Sequence, residues 1–160
     1  MRLYRGIMLL HSAGIPALAH KGPVVAHRAY ADPDLREYGD LDLLLPHDSM
    51  RQARVLLEGV GYLPKYALTP ATEAAMLASS AQYHLMLAHR EHGILVELHW
   101  KTDNDYPVER SEEASWWHSP SVQAIGCGDV PCLHAYEFLL ALCLHAAAMA
   151  PAGEARRRPR

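Results

Sequence analysis

The sequence predicts an α+β domain, a β-sheet with flanking helices, and three observations carry that prediction. Gly39-Asp40-Leu41-Asp42-Leu43-Leu44-Leu45 reads as a buried strand closed by Pro46. Residues 82–89 and 93–100 form two further strand-like runs separated by a short loop. Between and around them lie stretches of helical spacing or composition, at the N-terminus, after Pro46 and from Tyr136 onward.

Taken in order, Leu3, Ile7 and Leu10 recur at helical spacing, and Gly14 stands where a helix commonly ends. Ile15 to His20 reads as a short strand leading into Lys21-Gly22-Pro23, with Pro23 suited to the first position of a helix over 24–30. Asp32-Pro33-Asp34 is a turn, and the aspartate strand follows. A helix capped by Asp48 or Ser49 runs to Gly59, and Gly61-Tyr62 restarts the chain as an extended segment. Residues 69–80 read as helix. The loop Arg90-Glu91-His92-Gly93 joins the next two strands as a hairpin. In its second strand, Ile94, Val96, Leu98 and Trp100 take one face while Leu95, Glu97 and His99 take the other. Residues 103–113 are polar and read as a loop or an irregular helix start. A second hairpin is expected over 122–133, around Gly126-Cys127-Gly128-Asp129, and a helix over 136–149.

Length and composition fit a single domain over residues 1–150, followed by a disordered basic tail over 151–160 that is too rich in Gly, Pro and Arg to build a core. Half the residues are hydrophobic and 21% are charged, as in an ordinary globular protein. A formal charge of −3 offers no field for nucleic acid or an anionic membrane. No apolar stretch reaches transmembrane length. Three cysteines without a CxxC pair read as reduced thiols, which points to the cytoplasm. The eleven histidines are scattered and lack zinc-finger or HExxH spacing.

The chemistry concentrates on the aspartate strand. Side chains alternate faces with a period of two, so Asp40 and Asp42 point the same way, their Cα atoms about 6.5–7 Å apart. Two carboxylates side by side in an apolar strand repel each other and lose solvation unless a cation lies between them. Magnesium, which prefers hard oxygen ligands, answers that need; a plain solvated strand face is the bland alternative. Glu97, set among Val96 and Leu98, is a third carboxylate that calls for a cation or a donor. Lys21-Gly22 falls between a strand and a helix, where glycine permits close backbone approach and a helix N-terminus attracts anions. His99 shares the Glu97 face and reads more simply as a hydrogen-bonded structural histidine than as a catalytic one. Trp100, Trp116 and Trp117 read as core or interface anchors.

With these residues in place the chain resembles the nucleotidyltransferase superfamily of polymerase-β-like fold. More narrowly, it is similar to a family of uncharacterised bacterial nucleotidyltransferases. The similarity lies in GIPALAHKGPVVAHRAYADPDLREYGDLDLLLP (14–46), the helix ending in GVGY (59–62), VELHW (96–100) and FLLALCLHAAA (138–148). The resemblance implies a nucleotidyltransferase-like mixed sheet and transfer of a nucleoside monophosphate from a nucleoside triphosphate to a hydroxyl-type acceptor. It also implies that Mg2+ or Mn2+ is held by Asp40, Asp42 and Glu97, with Glu97 serving as ligand or as base. Lys21 and Gly22 stand where the superfamily has a Gly-Gly or Gly-Ser turn around the triphosphate. Arg36 matches an arginine of the narrower family that binds phosphate or pairs with the aspartates. Where the family continues past the last helix, this chain runs into MAPAGEARRRPR. That departure implies a truncated member, a shifted reading frame, or a minimal version that completes its site as a homodimer, and it bears on activity more than on fold. The competing readings are a nucleotide-binding or regulatory partner protein without turnover, of antitoxin or biosynthetic-accessory type, and a structural domain with incidental acids.

Overall fold

Period-two alternation and the turn residues around it settle where the strands lie. The computed structural model describes residues 2–102, 116–126 and 128–149. The polar stretch over 103–113, Cys127 and the basic tail fall outside those residues. Helix α1 (Arg2–Ser12) buries Ile7 and Leu10 and ends at Gly14, whose φ of 75° is left-handed. Strand β1 (Leu18–Ala19) leads into α2 (Gly22–Ala29), and β2 (Asp40–Leu44) follows a 3-10 turn at Pro33–Leu35. Next come α3 (Met50–Gly59), β3 (Tyr62–Pro64) and α4 (Pro70–Ala78). Thr69 caps α4 reciprocally with Thr72. The chain then forms β4 (His84–His89), β5 (Leu95–His99), β6 (Ser121–Ile125), β7 (Gly128–Cys132) and α5 (Ala135–Met149).

The strands make one mixed sheet in the order β3-β4-β5-β2-β1-β7-β6. Within it β2 runs parallel to β5 and β1 parallel to β7, while the other pairs are antiparallel. The hairpins expected over 82–100 and 122–133 are both present. The expected strand over Ile15–His20 shrinks to two residues, because its ladder with β2 holds only at Leu18↔Leu44 and Ala19↔Leu43. Helix α1 packs against α3, β1 and β7, and α2 lies on β2 and β6. Leu41, Leu43, Leu45, Leu87, Val96, Leu98 and Met50 are among the buried side chains of the core.

Two arginines tie the layers together. Arg28 on α2 donates to the Leu133 carbonyl, Ser121 Oγ and Cys132 Sγ, with its guanidinium 5.0 Å from the Phe138 ring centroid. Arg54 on α3 reaches the buried Glu73 of α4 at 2.7 Å and Glu58 at 2.6 Å, so the buried carboxylate has its counter-charge. Trp100 and Trp116 are core residues, and Cys132 (buried) and Cys143 (exposed) are free thiols. No helix among the described residues is long and apolar enough to cross a membrane.

Candidate active site

Parallel pairing of β2 with β5 builds the site, because the register sets Asp42 opposite Glu97 and Leu44 opposite His99. The antiparallel β4 extends the second row by setting His84 opposite His99. Side chains of paired residues share a sheet face. One face therefore carries Asp40 and Asp42 from β2, Glu97 and His99 from β5, and His84 from β4.

His99 is the centre of this array. Its ring is fully buried, and Nε2 lies 2.9 Å from Asp42 Oδ1 and 3.3 Å from Glu97 Oε2. Both neighbours are carboxylates and only accept, so Nε2 carries the proton. On the far side of Glu97, His84 Nε2 is 3.9 Å from Oε1. The Lys21 ammonium stands 3.6 Å from Asp42 Oδ1, with only 12% of its side chain exposed. Asp42, Glu97 and His99 each present a donor atom within 4.8 Å of the others, a group able to hold a metal ion among the described residues. Asp40, at the start of the strand, stands beside that group rather than in it.

The electrostatics separate the two aspartates. Burial pushes the Asp42 carboxyl up, but the hydrogen bond and charge of His99, with the Lys21 ammonium, outweigh it and bring it down to about 2. For Asp40 burial acts in the same direction as the neighbouring Asp42 and Glu97, and its carboxyl is raised. The His99 hydrogen bond holds the Glu97 carboxyl below its usual value, against burial. Burial, aided by His99 and Lys21, drives the fully buried His20 well below the usual histidine range, so its ring is neutral. Burial likewise lowers His84, against the pull of Glu97. Among the described residues Asp40 forms no ion pair, and Lys21 and His99 offset only part of its rise, which suits an added cation.

A pH dependence of known sign follows from Asp42. Its folded value lies below its usual 3.8, so the ionised carboxylate stabilises the folded chain. That contribution is complete above about pH 4 and lost as pH falls through about 2, and it amounts to about 2 kcal/mol. Asp40 works the other way, because its raised carboxyl favours folding when protonated. In urea unfolding between pH 5 and pH 2, the wild type is expected to lose about 2 kcal/mol more than Asp42→Asn does. Equal losses would mean that Asp42 is not held ionised by its neighbours.

Gly22 closes the site from the α2 side. Its φ is +39°, and a methyl there would meet the Asp40 carbonyl oxygen at 3.1 Å and Asp42 Oδ2 at 3.8 Å. Glycine is required on both counts: the left-handed backbone and the close approach of the helix start to β2. In the first turn of α2, Pro23 has no N–H and the Val24 N–H donates to the Lys21 carbonyl at 2.9 Å, which leaves the Gly22 N–H as that turn's donor beside Lys21. Arg36 donates to the Gly22 carbonyl at 3.1 Å. It is placed to hold the turn, and the structure records no ion pair between it and Asp40 or Asp42.

The sequence-derived set is therefore gathered in one place: Asp40, Asp42 and Glu97 with Lys21 and Gly22, and Arg36 behind the turn. What the sequence reading underweighted is the histidine complement. His99 was legible as a face-mate of Glu97, but its bond to Asp42 depends on the β2–β5 register. The signal for His20, next to Lys21, was weak, since a histidine at a strand end has many uses.

Comparison with known proteins adds a family and a fold. A family model described as "uncharacterised nucleotidyltransferase" matches residues 6–156. No curated protein matches the sequence. Among solved structures, the chain is similar to a lincosamide antibiotic adenylyltransferase bound to lincomycin, at 16% identity and a TM-score of 0.55, covering 86% of this chain and 82% of that one. It is also similar to the antibiotic-resistance factor ANT(2'')-Ia in solution, at 15% identity and a TM-score of 0.57, covering 95% of this chain and 74% of that one. A crystal structure of ANT(2'')-Ia with adenylyl-2''-tobramycin gives 13% identity and a TM-score of 0.55, covering 93% and 76%. At these identities the likeness is one of fold.

Proposed function

The chain belongs to the family of uncharacterised nucleotidyltransferases, and on that premise we propose that it transfers a nucleoside monophosphate from a nucleoside triphosphate to a hydroxyl on a small-molecule acceptor. The observation that carries this reading is the β2–β5 register. It sets Asp42 against Glu97, with Asp40 on the same face and the glycine-bearing start of α2 alongside.

Asp40, Asp42 and Glu97 are the residues we assign to hold Mg2+, or Mn2+. The fit rests on a surplus of carboxylate oxygens, including an Asp40 carboxyl raised by burial and its acidic neighbours. A divalent ion bound there supplies the charge that offsets the phosphates and the departing pyrophosphate. In the transfer, a bond forms between the acceptor oxygen and the α-phosphorus as the bond to the pyrophosphate oxygen breaks. The Gly22 N–H at the start of α2 and the Lys21 ammonium bind the phosphates. Arg36 holds the Gly22 carbonyl and so the turn that presents them. Glu97, ionised at neutral pH because His99 holds its carboxyl down, can take a cation or the proton of the acceptor hydroxyl. The choice of a small-molecule acceptor is by analogy with the adenylyltransferases of the same fold, one bound to lincomycin and one to an adenylylated tobramycin.

The test is calorimetric titration of ATP and the other nucleoside triphosphates, with and without Mg2+, on the wild type and on Asp40→Ala/Asp42→Ala. Binding that needs the ion and vanishes in the double variant is the expected result, and it directs the search to acceptors. Absence of triphosphate binding under every condition would overturn the transferase reading.

A further inference from the structure

The carboxylate site in this chain includes a nitrogen donor where a magnesium site uses oxygen alone. His99 Nε2 lies 2.9 Å from Asp42 Oδ1 and 3.3 Å from Glu97 Oε2. Two donors bound to one ion at about 2.1 Å, at tetrahedral or octahedral angles, stand roughly 3.0–3.4 Å apart. His99 Nε2 is thus at chelating distance from both carboxylates, the three donor atoms lie within 4.8 Å of one another, and a second imidazole, His84, stands at the other oxygen of Glu97. Magnesium exchanges its waters reluctantly and takes oxygen ligands. Manganese, cobalt and zinc accept imidazole together with carboxylate, and their affinity for such a set exceeds that of magnesium.

We propose that Asp42, Glu97 and His99 form a mixed nitrogen–oxygen site that takes a first-row transition ion, such as Mn2+ or Zn2+, in preference to Mg2+. The proposal deepens the nucleotidyltransferase reading and rests on it for the site's purpose, though not for its ligands. Without an ion, the Nε2 proton bridges the two carboxylates. On binding, the ion takes the place of that proton and the ligating ring carries its proton on Nδ1: a neutral ring shifts tautomer, a protonated ring releases the Nε2 proton to solvent, and the side chains need little rearrangement. Asp40, outside the three-donor group, remains for the ion that arrives with the triphosphate.

A second observation concerns the other side of the histidine. Among the described residues, His99 Nδ1 and both ring nitrogens of His20 are buried without a hydrogen-bond partner. The two rings meet edge-on with centroids 5.7 Å apart. Histidines that ligate metals almost always donate their second N–H to an acceptor, which fixes the tautomer and raises the basicity of the ligating nitrogen. Two imidazoles sharing an N–H···N bond have centroids roughly 5–5.5 Å apart. A small turn of either ring therefore joins His99 Nδ1 to His20, and the orphaned pair becomes the outer support of a ligating His99.

The experiment uses the full chain, freed of metal and without nucleotide. MnCl2, ZnCl2 and MgCl2 are titrated by calorimetry, and the Mn2+ complex is examined by pulsed electron paramagnetic resonance for 14N modulation. Mn2+ is expected to bind at least about tenfold tighter than Mg2+ and to show a directly bound nitrogen. The 14N signal is expected to vanish in His99→Gln and persist in His84→Gln. An oxygen-only Mn2+ signal in the wild type, Mg2+ bound as tightly as Mn2+, or loss of the signal in His84→Gln alone overturns the proposal. The wild-type spectrum decides even if His99→Gln fails to fold. Triphosphate binding together with an oxygen-only spectrum leaves the transferase reading standing and removes this one. Nitrogen-ligated Mn2+ in a chain that binds no triphosphate does the reverse.

Discussion

Asp42→Asn is expected to lower stability by about 2 kcal/mol at pH 7, whereas Asp40→Asn, two residues earlier on the same face, leaves stability unchanged or raises it. Both are expected to abolish ion-dependent triphosphate binding. The opposite stability effects follow from what each carboxylate touches. Asp42 is 5% exposed and accepts from His99 while facing Lys21 at 3.6 Å. Asparagine keeps its shape and one oxygen but removes the charge, leaving a largely buried ammonium without its counter-charge. Among the described residues Asp40 forms no hydrogen bond or ion pair of that kind, and the pull of Lys21 and His99 on it is outweighed. Burial and the carboxylates of Asp42 and Glu97 raise its carboxyl, so neutralising it relieves repulsion. The measurement is urea unfolding of both variants in chelator, followed by calorimetric titration of ATP with and without Mg2+. Equal destabilisation by the two variants would refute the division of roles; full ion-dependent binding in either would remove that aspartate from the site.

The contrast also shows what a single strand of sequence can and cannot carry. The shared face of Asp40 and Asp42 was legible because alternation is local and Gly39 and Pro46 bound the run. Gly14, Pro23 and the two hairpins were legible for the same reason: each is set by backbone chemistry within a few residues. The pairing of β2 with β5 spans more than fifty positions in sequence, and nothing local specifies which residue of one meets which of the other. One step in that register would turn Glu97 and His99 to the face opposite Asp42. The bond from His99 to Asp42, the ion pair of Lys21 and the strap of Arg28 onto β7 all depend on such long-range placement. The expected strand over Ile15–His20 failed locally as well. Pro16 has no N–H to give a ladder and the Ala17 N–H goes to His11 Nε2, while the His20 N–H still bonds the Asp42 carbonyl as the ladder's last rung before the Lys21 turn.

Lys21→Met is the variant expected to move two affinities in opposite directions. In the ligand-free chain the Lys21 ammonium neutralises Asp42 from 3.6 Å, an attraction between about 1 kcal/mol in water and about 5 kcal/mol at an effective dielectric of 20. A divalent ion must displace that attraction to use Asp42, so removing the ammonium is expected to tighten Mn2+ or Mg2+ binding in the absence of nucleotide. On the proposed function, a bound triphosphate would give the same ammonium a new partner: with an ion neutralising Asp42, Lys21 would be freed for phosphates at the start of α2. Without it, triphosphate affinity at saturating ion is expected to fall tenfold or more, about 1.4 kcal/mol. Methionine fills the same largely buried space, so the effect belongs to the charge rather than to lost packing. The two titrations, ion alone and ATP at fixed excess ion, check this on one preparation. If both affinities fall together, Lys21 acts only by shaping the turn; if triphosphate affinity is unchanged, the ammonium serves Asp42 alone and the phosphates are held by the α2 backbone.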